Sequence, residues 1–206
     1  GNNPAPPNPN YDEEFNGTCW SEVGETNTRR VNPGGAGTTT AGVIAGGDNT
    51  VICETWNGSS WSVNNTLNTA RAQSGFAGTV NTAALVSGGN PGYKDITEVW
   101  NGSTWTEVNQ MQTPSAQYVA SFGSSTSALV VGGITGSPNV YSTKTEKWNG
   151  SSWTETGDIT TAARLGAGGG TSSSGIACGG IITPGYSQAT EEWTDPLLAT
   201  KTFTSS

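Results

Sequence analysis

Apolar positions in this chain come in short bursts of three to five residues, separated by Gly, Ser, Thr and Asn, and no burst persists with helical spacing. Two kinds of burst alternate. One is a small apolar run that ends in a glycine pair, at Gly46-Gly47, Gly88-Gly89, Gly132-Gly133 and Gly179-Gly180. The other is Glu-x-aromatic-Asn-Gly-Ser/Thr-x-Trp, in which Glu and the aromatic lie two apart and so share one strand face. It runs from Glu13 to Trp20, Glu54 to Trp61, Glu98 to Trp105 and Glu146 to Trp153, with a degenerate fifth copy at Glu191 and Trp193. The aromatics Phe15, Trp56, Trp100, Trp148 and Trp193 are spaced by 41, 44, 48 and 45 residues. The distance from each aromatic to the second Gly of the following pair is nearly constant, and the stretch after that pair varies.

Each unit reads as four strands. The first is small and glycine-rich (72–78, 116–123), the second apolar (84–88, 128–132). The third ends on the aromatic (97–100, 145–148), and the fourth begins at the second Trp (105–108). Asn-Gly between strands three and four predicts a tight hairpin, with both residues expected to tolerate positive φ. Glycine in strand one suits innermost strands that crowd a central axis. A four-stranded unit with a period near 40 residues fits a propeller blade, whose indoles are covered by its neighbours.

Composition narrows the function. Among 206 residues there are 30 Gly and 8 Trp, only 32% apolar residues, 8 basic against 16 acidic residues, and no His. The charge of −8, with no basic run, disfavours nucleic acid and anionic membrane as partners. No apolar stretch is long enough for a transmembrane helix. Without His there is no Ser-His-Asp triad, no Cys-His dyad and no usual zinc site, so neither a metal nor a cofactor is expected. Cys19, Cys53 and Cys178 lack CxxC spacing. They read as free thiols or as one disulfide of unassigned connectivity. The chain shows neither an initiator Met nor a signal-peptide pattern.

Arg30, Arg71 and Arg164 follow their aromatics by 15, 15 and 16 residues, and Ser115 stands in the third copy. This Arg, the apolar strand ending in Gly-Gly, the variable loop, the aromatic strand and the turn to Trp together resemble the kelch repeat over residues 11–206. The wording Trp-Asn-Gly-Ser-Ser-Trp-Thr is similar to repeats in virion and fibre proteins of marine bacteriophages, whose copies end with Thr-Glu-Glu-Trp (190–193) and a Lys-Thr-Phe-Thr strand (201–204). The resemblance implies an all-β, small kelch-like β-propeller of four to five four-stranded blades, closed by pairing of N- and C-terminal strands, and a natural C terminus. Strands one and two occur four times and strands three and four five times. The hairpin 11–23 therefore closes the ring, forms a half blade or is donated to a neighbouring subunit. Residues 1–10, rich in Pro and Asn, read as an extended arm or linker.

The repeated positions Glu54, Trp56, Trp61, Glu98, Trp100, Trp105, Glu146, Trp148, Trp153 and Trp193 are expected to be structural, each Glu bonding backbone or an Arg of an adjacent blade. The Asn-Gly-Ser/Thr acceptor pattern for glycosylation reads as turn chemistry instead. Recognition is expected on the variable segments 48–50, 90–96, 134–144 and 181–189, with Tyr93, Asp95, Tyr141 and Tyr186 as candidate ligand- or partner-binding residues. The expectation is a non-enzymatic structural or adhesive protein of a bacteriophage particle: a fibre, tail appendage or decoration. Its partners would be copies of itself, other virion proteins and a host-surface glycan, and its place the virion. The alternative is a secreted or cell-surface bacterial adhesin or filament subunit, separable by gene neighbourhood. Propeller copper oxidases need His, sialidase Asp boxes are missing, and no asymmetric carboxylate pair suggests a glycan-cleaving enzyme.

Overall fold

The computed structural model describes residues 11–113, 117–136, 138, 140–165 and 167–195. The arm 1–10, Ser115 and the strand at 201–204 lie outside them. Among the described residues there is no helix. A two-stranded hairpin, β1 (Tyr11–Phe15) with β2 (Trp20–Glu25), comes first. Sheet 1 is β3 (Gly34–Thr38), β4 (Ala41–Ala45), β5 (Cys53–Trp56) and β6 (Trp61–Asn64). Sheet 2 is β7 (Gly75–Val80), β8 (Ala83–Ser87), β9 (Thr97–Trp100) and β10 (Trp105–Val108). Sheet 3 is β11 (Ala120–Ser124), β12 (Ser127–Val131), β13 (Thr145–Trp148) and β14 (Trp153–Glu155). Sheet 4 has β15 (Ala167–Gly170), β16 (Ser174–Cys178) and β19 (Thr190–Thr194), with a small hairpin, β17 (Ile181–Ile182) and β18 (Gly185–Tyr186), between the last two. All pairing is antiparallel between consecutive strands of each sheet, a set of meanders in a propeller-like arrangement. The glycine-rich strands begin three to four residues later than the sequence suggested, because the residues before them pair with neighbouring loops instead.

The inner strands β3, β7, β11 and β15 lie side by side in chain order. Glycine permits this approach: a Cβ at Gly34 would meet Phe76 Cδ2 at 2.2 Å, and one at Gly168 would meet Ala120 Cβ at 2.7 Å. The core is divided among the junctions between sheets. Val43 and Cys53 meet Val86, Trp100 and Trp105; Leu85 meets Val130, Trp148 and Trp153; Leu129 meets Ala177. The first Trp of each unit donates its indole N–H to a carbonyl of the strand one–two turn: Trp56 to Thr39 (2.8 Å), Trp100 to Asn81 (2.9 Å), Trp148 to Ser125 (3.0 Å) and Trp193 to Ser172 (3.1 Å). The second Trp tilts against the first at 5.3–5.5 Å.

Two expectations change. The turns between strands three and four do not place both residues at positive φ. Only the glycine is there (Gly58, φ 93°), while Asn57 Oδ1 accepts from the backbone N–H groups of Ser59 and Ser60, both at 2.9 Å. Asn serves through its side chain, which closes a four-residue loop. Among the described residues the N-terminal hairpin does not pair with the last sheet; the strand at 201–204, expected to share in closing the ring, lies outside them. Among the described residues β1 and β2 pair only with each other. Phe15 and Trp20 are exposed there, since no sheet among the described residues covers them as sheet 1 covers Trp100 and Trp105.

Candidate functional site

The repeated Glu is fixed by the linker that enters its own sheet. Glu98 accepts from Asn68 N (2.7 Å), Asn68 Nδ2 (2.9 Å), Thr69 N (3.2 Å) and Arg71 Nη2 (2.5 Å). Arg71 also donates to the carbonyls of Gly88 and Ile96, and both partners are fully buried. Burial pushes the guanidinium pKa down and the Glu98 carboxylate opposes that shift. Glu54 repeats the pattern with Asn27, Thr28 and Arg30. Glu146 is held by Gln112 N and Thr113 N, and Glu191 by Thr160 N and Thr161 N. The Arg partner thus belongs to the same sheet rather than to a neighbouring one. Sequence reading missed the linker position Asn27, Asn68, Gln112 and Thr160, although Asn-Thr-x-Arg recurs at 27–30 and 68–71. Glu13, by contrast, is exposed.

The variable loops and the linkers share one face. Both glycines of each pair take positive φ, which turns the chain beneath the linker. A Cβ at Gly46 would lie 2.5 Å from Arg71 O, and one at Gly133 2.7 Å from Gln117 O. Isolated bridges then join linker to loop: Ala72 to Asn90, Gln117 to Ile134 and Arg164 to Ile181. Ile134 pairs onward with Tyr141, and Ile181 with Tyr186. The structure therefore brings Tyr141 and Tyr186 to equivalent places on the return arms of two loops. Tyr186 is 82% exposed and Tyr141 half-buried. Tyr93 and Asp95 are half-buried in the sheet 2 loop, where Asp95 O accepts from Met111 N.

At the centre of this face the linkers bond to one another. Gln73 N donates to Asn32 O at 3.1 Å, and Tyr118 N to Gln73 O at 2.9 Å. All three residues have positive φ (54°, 58° and 51°), and the Gln73 amide donates to the Tyr118 hydroxyl. The Arg164 guanidinium lies 3.5 Å from the centroid of the Tyr118 ring. A cavity of about 360 Å³ is bordered by the inner strands of all four sheets, through Gly35, Phe76, Gly78, Ser121, Phe122 and Gly170 among others; no ionisable side chain lines it.

A second recess, of about 240 Å³, lies between the hairpin and sheet 1, where Asp12 faces Phe15, Trp20, Trp56 and Trp61. It exists because no strand one or two lies beside β1 among the described residues. Burial raises the Asp12 pKa above 3.8, and the Trp61 indole and the Thr26 backbone pull it back. All three cysteines are free: Cys19 exposed, Cys178 half-buried and Cys53 buried, where desolvation raises its thiol pKa. Among the described residues no three His, Cys, Asp or Glu side chains converge as metal ligands, and no helix is long and apolar enough to cross a membrane.

No protein-family model matches the chain, and no curated protein is similar to it in sequence. Its fold is similar to the solved structure of YjhT, at 13% identity and a TM-score of 0.71, over 86% of this chain and 70% of that one. A likeness at that identity shows the fold alone.

Proposed function

We propose that the sheets and the N-terminal hairpin are successive blades of a small kelch-like β-propeller of four to five blades. On this reading the chain is a non-enzymatic structural and adhesive protein of a bacteriophage particle. Its loop face contacts a host-surface glycan or another virion protein. One observation carries the reading. The repeated carboxylates are engaged by their linkers, while the segments that differ between repeats gather on one face and carry exposed or half-exposed Tyr. Stacking on Tyr suits a sugar ring or a protein anchor. The kelch resemblance and the phage-like wording of the repeats supply the particle setting.

Two measurements test this. Purified particles of the phage that encodes the chain should contain it in ordered multiple copies, by mass spectrometry and averaged images. Replacing Tyr93, Tyr141 and Tyr186 together by Ala should abolish adsorption to host cells without changing the melting temperature. Absence from particles, together with unchanged adsorption, defeats the proposal.

A further inference from the structure

We propose that Arg164, stacked on Tyr118 at the centre of the loop face, is an oxyanion-binding residue that takes the carboxylate or sulfate group of an acidic glycan. This rests on the adhesive reading above and names the ligand chemistry.

The argument begins with register. Arg30 and Arg71 follow their aromatics by 15 residues and reach Glu54 and Glu98; Arg164 follows Trp148 by 16. Ile181 pairs with Arg164 as Asn90 pairs with Ala72, so Arg164 occupies the place one residue beyond that of Arg71. Gly133 N donates to Ala163 O as Gly47 N does to Arg71 O, and it is Ala163 that stands where the structural Arg would be. With Ala at the structural position and the Arg one place on, Glu191 has no cation and is held by two backbone donors. It carries the guanidinium to the Tyr118 ring.

The guanidinium is then unusual for this molecule. Among the described residues Arg30, Arg71, Lys144 and Lys147 form ion pairs and Arg29, Lys94 and Arg164 do not; of these three only Arg164 lies over an aromatic ring. Arg164 is half-buried, and among the described residues its guanidinium N–H groups meet no acceptor; only its flat face is used. A guanidinium has five N–H donors in a planar fork that matches two oxygens of a carboxylate or sulfate. With its face on the ring, that edge remains for a ligand.

Tyr118 is costly where it stands. It is a bulky residue at φ 51°, a conformation that L residues with large side chains avoid. The hydrogen bond from Gln73 fixes its hydroxyl, and the linker bond to Gln73 O fixes its backbone. The equivalent positions in the two preceding linkers hold Asn32 and Gln73, so the aromatic is particular to this blade and lies beneath the displaced Arg. Ile181 also pairs with Tyr186, so the backbones of Arg164 and of the exposed Tyr186 lie about two strand spacings, or about 10 Å, apart across Ile181. That separation suits a sugar whose acid group is held by Arg164 and whose ring or neighbour stacks on Tyr186.

The test is titration of the full chain with D-glucuronate, glucose 6-sulfate and glucose, followed by NMR line shifts or calorimetry. Wild type should bind at least one acidic sugar, more tightly at low salt, and glucose much more weakly. Arg164→Gln should weaken the acidic sugar by about tenfold or more, the weight of a charged hydrogen bond. Arg164→Lys should fail to restore it, because a point charge supplies neither the fork nor the stacked plane. Far-UV circular dichroism and urea melts check that both variants fold. Binding of glucuronate alone assigns a carboxylated glycan, and binding of glucose 6-sulfate alone a sulfated one; either supports the site. Equal binding of acidic and neutral sugars, or no loss in Arg164→Gln, overturns it. Loss of host adsorption in the triple Tyr variant with no acidic sugar bound would sink this site and leave the adhesive reading standing. Acidic sugar bound, with adsorption intact in both variants, would do the reverse.

Discussion

Replacing Cys53 by Thr should stabilise the protein, although Cys53 is fully buried and in contact with the core. The reason lies in a position that recurs immediately before each repeated Glu: Asp12, Cys53, Thr97, Thr145 and Thr190. Between sheets 2 and 3, Trp153 Nε1 donates to Thr97 Oγ1 at 2.9 Å. In the preceding junction the equivalent indole, that of Trp105, faces the Cys53 thiol, and its Nε1 is buried without a proper hydrogen bond. A buried donor left unsatisfied costs about 1–3 kcal/mol, and a thiol is a weak acceptor. Thr at 53 would place Oγ1 where Thr97 places its own, on a strand that favours β-branched residues. The expected gain is about 1 kcal/mol, or about 2–4 °C in Tm for a chain of this size. Urea unfolding followed by tryptophan fluorescence measures it. Thr97→Cys is the mirror experiment and should lose a similar amount. Cys53→Ser separates the hydrogen bond from any crowding by the added methyl. If Cys53→Ser and Cys53→Thr both fail to stabilise while Thr97→Cys is neutral, the indole acceptor position carries no energy and the reasoning is wrong.

Three further outcomes follow from the buried groups. Glu98→Gln should destabilise by about 3–5 kcal/mol in the same urea assay, because it leaves the fully buried Arg71 unpaired; Glu22→Gln, exposed on β2, is the control and should change little. Asp12→Asn should raise stability near neutral pH. The folded-state pKa of Asp12 lies above 3.8, so the folded chain holds the proton more tightly and wild-type stability falls as pH rises through that window. The two proteins should converge well below it, and a difference that is constant with pH would refute the assignment. In a thiol-titration time course Cys19 should react at once, whereas Cys53, buried and with a raised thiol pKa, should react only on unfolding; prompt reaction of Cys53 would contradict its placement.

Much of the strand plan was legible because two markers bound the unit. The aromatic and the glycine pair recur at fixed separation, and the third and fourth strands of sheet 2 fall at 97–100 and 105–108 as their alternation indicates. The inner strands were harder to delimit. Ala72 and Gln117 have the small or polar character of a strand residue, yet they bridge to Asn90 and Ile134 in a neighbouring loop. Local propensity does not report that choice of partner. The role of Asn57 was half visible: Asn-Gly announces a turn, but whether Asn contributes its backbone or its side chain depends on the loop length between Trp56 and Trp61. The candidate site was least legible. Tyr141 and Tyr186 could be placed on variable loops, but Tyr118 and Arg164 lie 46 residues apart in the chain and meet only because the linkers into sheets 3 and 4 lie side by side.

The one-residue difference at Arg164 shows why a repeat must be read for its departures. A position held by the fold is served by the same bonds in each unit, as Asn68 and Asn27 serve Glu98 and Glu54. When one unit loses that service, the displaced group must either find a new structural partner or bear the cost of partial burial. Gln112 and Thr113 show the first course: sheet 3 keeps its Glu146 with two backbone donors and has no Arg or Lys from 109 to 119. The fourth unit keeps its cation but moves it off the carboxylate and onto an aromatic ring in a disfavoured backbone conformation. Deleting the cation would have sufficed for folding, as sheet 3 demonstrates. Its presence at a place where it meets no acceptor among the described residues is the ground on which we propose a ligand with negative charge for the loop face.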